Sequence, residues 1–470
     1  MVCGEERGKV MEAVTLPCLS TKKEISMDQL VTPDNRLALS IQLEFPRFQI
    51  VSEMVSLLND PKKVNRLRDP SVLKKLLTLQ GILTRSGNQY IREYVLFLFH
   101  TDILAIYRSK IQKAWLANHQ LKQKRVFQKI SVTCREKEVR KVASLAIRSL
   151  YAAGLDYGAV KCGIAPGNRV VVLHINPQPH VNLEMKRRFS EALQTFIQNI
   201  TRRKMELEQI QLGADPEFVV LSPKGNLVIA SRYLPIRGKA GCDEIWIGKN
   251  RSNKPVVEVR PDPTSDPRKL VIRIYEQLLS VAKKMNMVSG KWLAGALPYQ
   301  GFPLGGHIHF GGLKPNFKML RALDNYLTLP LVLAEDRKGI HRRPKYGFLG
   351  DYRLKDYGGF EYRTPPSWLI SPTLTKGVLA LAQCIVANYP SLPQDPLQEL
   401  EMVEAYYTGN KEMIRMQVES LWSDVQKLRD YQKHRRYLEP FYQFLLSGRT
   451  WDEGQDFRKF WRLPPYHKRR

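Results

Sequence analysis

Four short apolar segments of this sequence each carry two polar residues separated by one apolar residue. Such alternation is typical of a β-strand, in which residues two apart point to the same face of the sheet. Each pair is therefore expected to project together from one face, while the intervening residues pack against the other. The four pairs are Asp215 and Glu217, Glu258 and Arg260, His307 and His309, and Glu361 and Arg363.

The polar face formed by these pairs would hold four carboxylates, two guanidinium groups and two imidazoles. Burial of unpaired charges is very costly, so this face is expected to line a solvated cleft that binds cations. One such pair alone would favour an exposed sheet face. Four pairs beside glycines favour a site instead, because glycine in strands often marks a close approach. These glycines are Gly213, Gly305, Gly306, Gly311, Gly312, Gly358 and Gly359. The residues expected on the opposite face are Phe218, Val257, Val259, Ile308, Phe310, Phe360 and Tyr362.

The donor types on this face indicate the ligands it could bind. Several carboxylates with few imidazoles suit Mg²⁺ or Mn²⁺, whereas zinc would favour more His or Cys. Arginines beside them supply forked donors for phosphate or carboxylate oxygens. Metal ions with arginines are a combination that catalyses phosphoryl transfer.

The four segments read, in order, G-x-D-P-E-F, E-V-R-P, G-G-H-I-H-F-G and E-Y-R-T-P-P-S-W. This ordered set resembles the glutamine synthetase and glutamate–cysteine ligase superfamily, and within it the phage-type and bacterial COOH-NH2 ligase type 2 (amidoligase) branch. The resemblance covers about residues 210–390. It implies an α+β fold, in which a curved antiparallel sheet of about six strands surrounds the site and helices lie behind it.

The resemblance also implies roles for individual residues. Metal ligands would be Asp215, Glu217, Glu258, His307 and Glu361. Catalytic residues near the phosphates or the substrate would be Arg260, His309 and Arg363. Asp215 stands where glutamate is usual in glutamine synthetase, and its side chain is shorter. An arginine-rich region precedes Glu361, and from it Arg343 and Arg353 are expected to bind the nucleotide; Asp243 and Glu244 are further candidates for the site.

The activity implied by the resemblance is an ATP- and Mg²⁺- or Mn²⁺-dependent ligation of a carboxylate to an amine. The carboxylate would attack the γ-phosphorus of ATP, and the amine would then displace phosphate from the acyl phosphate. Substrates would be an acidic small molecule, peptide or protein together with an amine. The sequence leaves open which acid and amine react, and it also leaves the oligomeric state open.

The N-terminal part of the chain has weaker patterns. Residues 1 to about 45 are predicted as strands and turns, and residues 50–125 mainly as helices, including a buried helix in YVLFLFHTDILAIY. Residues 142–181 predict a helix followed by a strand pair, which resembles the final strands of ATP-grasp ligases. Asn176 matches the family there, but His174 replaces its glutamate and no acidic residue stands near Lys161. The resemblance thus implies a degenerate ATP-grasp-like domain, mainly helical and of α/β type; a chance helix–hairpin pattern is the alternative.

Three domains are predicted from these observations. An N-terminal domain would span residues 1–205, the amidoligase domain residues 206–390, and a basic helical appendage residues 391–470. The six cysteines form no C-x-x-C pair, and the N-terminus shows no secretory signal, so a cytoplasmic protein without a membrane span is expected.

The formal net charge of +29 predicts attraction to polyanions. It motivates one alternative, a basic nucleic-acid-binding protein without catalysis; nucleic-acid binding could also accompany ligation. A second alternative is a metal-dependent hydrolase, because H-x-H motifs also occur in such enzymes. The sequence after His309 lacks the glutamate expected in cupins, and the later histidine ligands of amidohydrolases are missing.

Overall fold

The N-terminal part of the chain forms an antiparallel sheet covered by helices. The computed structural model describes residues 58–84, 90–110, 126–202 and 206–466. The predictions for residues 1–45 therefore lie outside the described residues. The five strands are ordered β3-β2-β1-β4-β5. The elements of this part are α1 (Pro61–Arg66), α2 (Pro70–Leu79), β1 (Arg92–Phe99), β2 (Asp102–Ser109), β3 (Phe127–Ile130), α3 (Lys137–Ala152), β4 (Tyr157–Ala165), β5 (Arg169–Asn176) and α4 (Leu183–Arg202).

The prediction of a buried helix in YVLFLFHTDILAIY is wrong, because this segment forms the hairpin of β1 and β2. Tyr94 and Leu96 pack with α3 in one core cluster, whereas Val95 and Phe97 pack with α4 in another. A strand covered on both faces is apolar at every position, so it lacks alternation and cannot be distinguished from a buried helix by pattern. The predicted helix and strand pair of residues 142–181 are confirmed by α3, β4 and β5.

The second part of the chain contains a seven-stranded antiparallel sheet. Its order is β11-β12-β10-β6-β8-β7, with β9 paired to one end of β6. Helices fill the connections and the C-terminal region. The strands are β6 (Gln211–Leu221), β7 (Ala240–Cys242), β8 (Val256–Val259), β9 (Lys291–Leu293), β10 (Gly306–Gly311), β11 (Tyr352–Lys355) and β12 (Gly359–Tyr362). The helices are α5 (Pro267–Lys284), α6 (Phe317–Leu323), α7 (Leu329–Leu331), α8 (Pro372–Asn388), α9 (Leu400–Thr408), α10 (Lys411–Gln426), α11 (Tyr431–Leu446) and α12 (Arg458–Trp461).

The four strands that carry the polar pairs are neighbours in this sheet, in the order β12-β10-β6-β8. Their register sets the pairs directly opposite one another. Asp215 stands opposite His307, Glu217 opposite Glu258, and His309 opposite Glu361. Since residues that are opposite in antiparallel strands share a face, the polar side chains converge.

The other face of this sheet packs against helices. All seven apolar residues expected there belong to the main core cluster, and each is buried. Helix α5 packs against α8, and α8 packs in turn against α11. Mixed antiparallel sheet and helix agree with the α+β class. None of the helices in the described ranges has the length and apolar composition that a membrane crossing requires.

One core cluster extends through both parts of the chain. It joins α2, α3 and the first sheet to the second sheet and the C-terminal helices. Polar contacts cross the same interface: Tyr151 donates to Asp324 at 2.7 Å, and Arg321 Nη1 lies 2.5 Å from Asp156. The predicted boundary near residue 205 therefore separates two sheets that share their packing. The three predicted domain limits stay predictions.

Candidate active site

Asp215 lies between the two histidines of β10. His307 Nδ1 lies 3.2 Å and His309 Nε2 lies 3.0 Å from Asp215 Oδ1. The register of β6 and β10 explains the first contact, and the alternation along β10 places the second imidazole on the same face. One carboxylate oxygen therefore contacts two imidazoles, despite the short reach of aspartate.

Glu361 on β12 is surrounded by cationic groups. Its Oε1 lies 3.3 Å from His307 Nδ1 and 3.5 Å from Arg363 Nη1. Its Oε2 lies 2.5 Å from Lys355 Nζ and 3.7 Å from Arg353 Nη1. This carboxylate is the point at which the imidazole cluster meets the cations of the β11–β12 hairpin.

Glu217 and Glu258 form the other end of the site. The backbone N–H of Gly305 donates to Glu217 Oε2 at 2.7 Å. Glu258 pairs with Arg260, whose guanidinium also donates to the carbonyl of Cys242 at 2.9 Å. Arg260 is thus held beside a carboxylate by the backbone of the neighbouring strand β7.

Asp215, His309 and Glu361 offer ligand atoms that all lie within 4.8 Å of one another. Asp215 Oδ1, His309 Nε2 and Glu361 Oε2 are also buried without a hydrogen bond of acceptable geometry to the described part of the chain. Their short contacts are to polar side chains of the same site, so a bound cation could take the place of those contacts. Two carboxylate oxygens with one imidazole nitrogen fit a hard divalent cation such as Mg²⁺ or Mn²⁺.

The two histidines occupy places that differ from the simplest reading of the sequence. The resemblance assigned His307 to the metal and His309 to the phosphates or substrate. In the structure His309 belongs to the group of three ligand atoms, and His307 lies between Asp215 and Glu361. Both contact the cluster, and their separate roles stay predictions.

The carboxylates are more deeply buried than a solvated cleft would allow. The exposed fractions are 7% for Asp215, 5% for Glu217, 7% for Glu258 and 1% for Glu361. The expectation of a solvated cleft assumed unpaired charges, but here imidazole, guanidinium and ammonium groups lie against the carboxylates. Pairing makes burial tolerable, and it leaves a compact polar site rather than an open face.

Burial dominates the protonation of Glu217 and Glu258. It raises the pKa of Glu217 to about 7, opposed by His307 and assisted by the charge of Asp243. It also raises the pKa of Glu258, together with the charge of Asp215 and against the effect of Arg260. Protonation is therefore favoured at this end of the site in the absence of a cation. Asp243, half-buried just after β7, thus acts on the site through its charge.

At the other end of the site, neighbouring charged groups determine the direction of the pKa shifts. Burial opposes ionisation of Asp215, but His309 and His307 hold its pKa well below the usual range. Burial and Asp215 would also raise the pKa of Glu361, yet His307 and Arg363 outweigh them and lower it. Burial would lower the pKa of His307, and the carboxylates of Asp215 and Glu217 raise it instead. The two ends of the site therefore differ in charge.

Two of the glycines are explained by protein groups. A Cβ on Gly305 would overlap the imidazole of His307, and one on Gly306 would overlap Trp368 and the carbonyl of Pro366. Trp368 Nε1 donates to the carbonyl of Gly306 at 2.8 Å. Close approach is therefore required here, as the sequence indicated, but by side chains of the same chain.

The two arginines expected to bind nucleotide are placed differently. The side chain of Arg353 is 59% exposed beside Glu361, so its guanidinium is open to a ligand. The side chain of Arg343 is 3% exposed, its Nη2 lies 2.7 Å from Glu335 Oε2, and its guanidinium lies over the ring of Tyr406. Nucleotide binding by Arg343 would require this buried ion pair to open, and that role stays a prediction.

Two residues at the site were missed by sequence reasoning. Lys355 contacts Glu361, and the hydroxyl of Tyr357 lies 3.3 Å from His309 Nδ1. Arg353, Lys355 and Tyr357 alternate along the chain directly before the strand of Glu361. That alternation was a usable signal, but the surrounding glycines suggested a loop rather than a strand.

The N-terminal candidates lie on β5, in the first sheet. Asn176 accepts a hydrogen bond from the N–H of Gln178 at 2.9 Å. Lys161 stands opposite His174 and lies 2.9 Å from Glu93. The interpretation of this sheet as a degenerate ATP-grasp domain stays a prediction.

Comparisons with known proteins bear on the second sheet. A family model described as phage phiEco32-like COOH.NH2 ligase-type 2 matches residues 212–463, which include all four polar pairs. A comparison with curated proteins found no match. A crystal structure of a bifunctional glutathione synthetase from Pasteurella multocida aligns with a TM-score of 0.33 and 12% identity, over 52% of this chain and 48% of that chain. The chain thus spans about half of that protein. At a TM-score of 0.33, neither fold nor function is inferred from this similarity.

Proposed function

Because the chain belongs to the phage phiEco32-like COOH.NH2 ligase-type 2 family, we propose that it is an ATP-dependent carbon–nitrogen ligase that joins a carboxylate to an amine through an acyl phosphate. The observation that carries this proposal is the group of three buried ligand atoms beside exposed arginine. A site of this kind suits a nucleoside triphosphate bound with divalent cations.

The carboxylates of the site would bind two divalent cations. Asp215, His309 and Glu361 would hold one divalent cation, and Glu217 with Glu258 would supply oxygen ligands to a second. Bound cations would offset the negative charge of the phosphoryl group during its transfer. The surrounding burial strengthens each of these electrostatic interactions.

The cationic side chains would position the phosphoryl group. Arg353 is largely exposed and Arg363 is partly exposed, and both lie within 4 Å of Glu361. Their forked N–H groups can bind oxygens of the γ-phosphate and then of the acyl phosphate. Arg260 is held by Glu258 and by backbone carbonyls, so it would fix that carboxylate and face the substrate from the other end.

The reaction would proceed in two balanced steps. An oxygen of the substrate carboxylate attacks the γ-phosphorus, the bond to the bridging oxygen breaks, and ADP leaves with that electron pair. The amine nitrogen then attacks the acyl carbon, phosphate leaves with the electrons of the carbon–oxygen bond, and the nitrogen loses its extra proton to water. No covalent bond to the protein forms.

Hydroxylamine provides a test that does not require the natural amine. The purified chain would be mixed with ATP, Mg²⁺, hydroxylamine and a panel of carboxylates, from amino acids to acidic peptides. Release of ADP together with a hydroxamate is the expected result, because hydroxylamine traps acyl phosphates. Cleavage of amides without ATP would instead favour a metal-dependent hydrolase, and salt-sensitive binding of nucleic acid without ADP release would favour the non-catalytic alternative.

A matched pair of substitutions links that activity to the site. Glu361→Gln keeps the shape but removes the charge at the centre of the cluster, and a loss of about 100-fold or more in hydroxamate formation is expected. Glu276→Gln makes the same change at an exposed position on α5 and should leave the rate unchanged. Equal rates for both variants would separate the activity from this site.

A further inference from the structure

The hairpin of β11 and β12 presents three polar side chains to the site. Arg353, Lys355 and Tyr357 alternate along the chain, and each contacts a residue of the cluster. The Arg353 side chain is 59% exposed and Tyr357 is 58% exposed, whereas the Lys355 side chain is only 22% exposed. Lys355 is therefore less exposed than Arg353 and Tyr357, because its ammonium lies against the buried carboxylate of Glu361.

Lys355 contacts the carboxylate of Glu361, which belongs to the candidate cation site. Its ammonium lies 2.5 Å from Glu361 Oε2, one of the three buried ligand atoms without a well-formed hydrogen bond. An ammonium ion and a divalent cation would compete for this carboxylate, since like charges only a few ångströms apart repel each other at a buried site. A cation bound at Glu361 would therefore weaken the contact with Lys355.

The displaced ammonium has a flexible four-carbon stem and can move several ångströms. Arg353, two residues before Lys355 on the same strand, is largely exposed, so an ammonium released from Glu361 could move toward solvent on that side. In the proposed function, a nucleotide would bring its phosphoryl oxygens to the exposed arginine beside Lys355. They would offer the ammonium a new anionic partner in place of Glu361.

We propose that Lys355 is a further catalytic residue of the ligase, which holds Glu361 while the site is empty and transfers to a phosphoryl oxygen of ATP when a divalent cation binds. The proposal rests on the proposed function. In this arrangement the cation and the nucleotide assist each other, because the cation releases the lysine that the nucleotide then binds.

The test measures binding as well as turnover, on the full chain. Mn²⁺ affinity is measured by electron paramagnetic resonance without nucleotide, and the affinity for a non-hydrolysable ATP analogue by calorimetry with Mn²⁺ present. In Lys355→Met the stem stays but the charge is lost. Mn²⁺ should then bind about 5- to 10-fold more tightly and the analogue about 10-fold more weakly. A lysine that only supported the hairpin would weaken both.

Two further variants complete the test. Lys355→Arg keeps a cation and should restore most of the analogue affinity, whereas Lys224→Met, at an exposed turn, should change neither affinity. Unchanged or weaker Mn²⁺ binding in Lys355→Met would overturn the proposal. If both affinities shift as expected but no carboxylate gives a hydroxamate, the ligase function fails while the exchange of Lys355 between Glu361 and phosphate stands.

Discussion

Asp324 is a buried carboxyl group that holds two tyrosines. It lies in a π-helical turn between α6 and α7, and it accepts hydrogen bonds from Tyr151 Oη at 2.7 Å and from Tyr362 Oη at 2.5 Å. Tyr362 directly follows Glu361 on β12, so this contact fixes the strand that carries Glu361. Burial raises the pKa of Asp324 to about 7, although both tyrosines oppose the shift.

The raised pKa of Asp324 predicts a pH-dependent stability. Below about pH 4 the group is protonated in both folded and unfolded chains, and it has no effect. As the pH rises toward 7 the unfolded chain loses this proton first, so the free energy of unfolding falls by up to about 4 kcal/mol. Asp324→Asn cannot ionise, so its melting temperature relative to the natural chain should rise between about pH 4 and pH 7 and stay constant above that.

Thermal denaturation followed by circular dichroism at several pH values measures this difference. The control is Glu276→Gln, which removes an exposed carboxylate and should melt in parallel with the natural chain at every pH. Parallel curves for Asp324→Asn as well would mean that the carboxyl group ionises in the folded chain as easily as in water.

Site residues were predictable from the sequence where polar and apolar residues alternate along a strand. The pairs of β6, β8, β10 and β12 were recognisable because one apolar residue separates two polar ones on each strand, and the register then placed these pairs opposite one another. Asp324 could not be found in this way, since its partners are distant in the sequence and meet only in the folded chain. Lys355 was missed because the glycines around its strand suggested a loop rather than a strand.

At the level of elements, the short helix α12 packs against α5 and the segment that follows β12. Trp461 Nε1 donates to the carbonyl of Leu369 at 2.7 Å, and its ring stacks on Tyr275 of α5. Just before α12, the carboxylate of Glu453 accepts hydrogen bonds from the backbone N–H groups of Ala296 and Leu297. This C-terminal segment thus fixes the connection that leads into β10.

Two neighbouring aromatic residues of α12 predict unequal effects on stability. Trp461 is 4% exposed and Phe460 is 43% exposed. Trp461→Ala removes a large buried ring and a hydrogen bond, and it should lower the free energy of unfolding by about 3–5 kcal/mol. Phe460→Ala should change it by about 0.5 kcal/mol or less. Urea denaturation of both variants measures the difference, and similar losses would contradict the observed packing.

Secondary structure was predictable where an element is covered on one face only. Helix α3 has one apolar stripe, and a helix was predicted there. Strand β1 is covered on both faces, so its continuous apolar run was mistaken for a helix. The C-terminal helices were expected as an appendage, and nothing local in their sequence indicated that α11 packs on α8.

For the whole molecule, the shared core predicts cooperative unfolding. The cluster that includes both sheets is crossed by the buried contact of Arg321 with Asp156. Differential scanning calorimetry of the full chain should therefore show one transition, with equal calorimetric and van't Hoff enthalpies. Asp156→Ala should shift that transition downward as a unit. Two resolved transitions would instead support independent domains that meet near residue 205.

The position of α12 in the sequence sets the order in which the site can form during synthesis. The carboxylates of β6 leave the ribosome long before Trp461 and Leu463, which are buried beneath the same sheet. Until those residues emerge, the strands that carry the candidate ligands lack part of their support. A nascent chain therefore cannot complete this site early, and its buried charges are assembled only when nearly all of the described chain is free to fold.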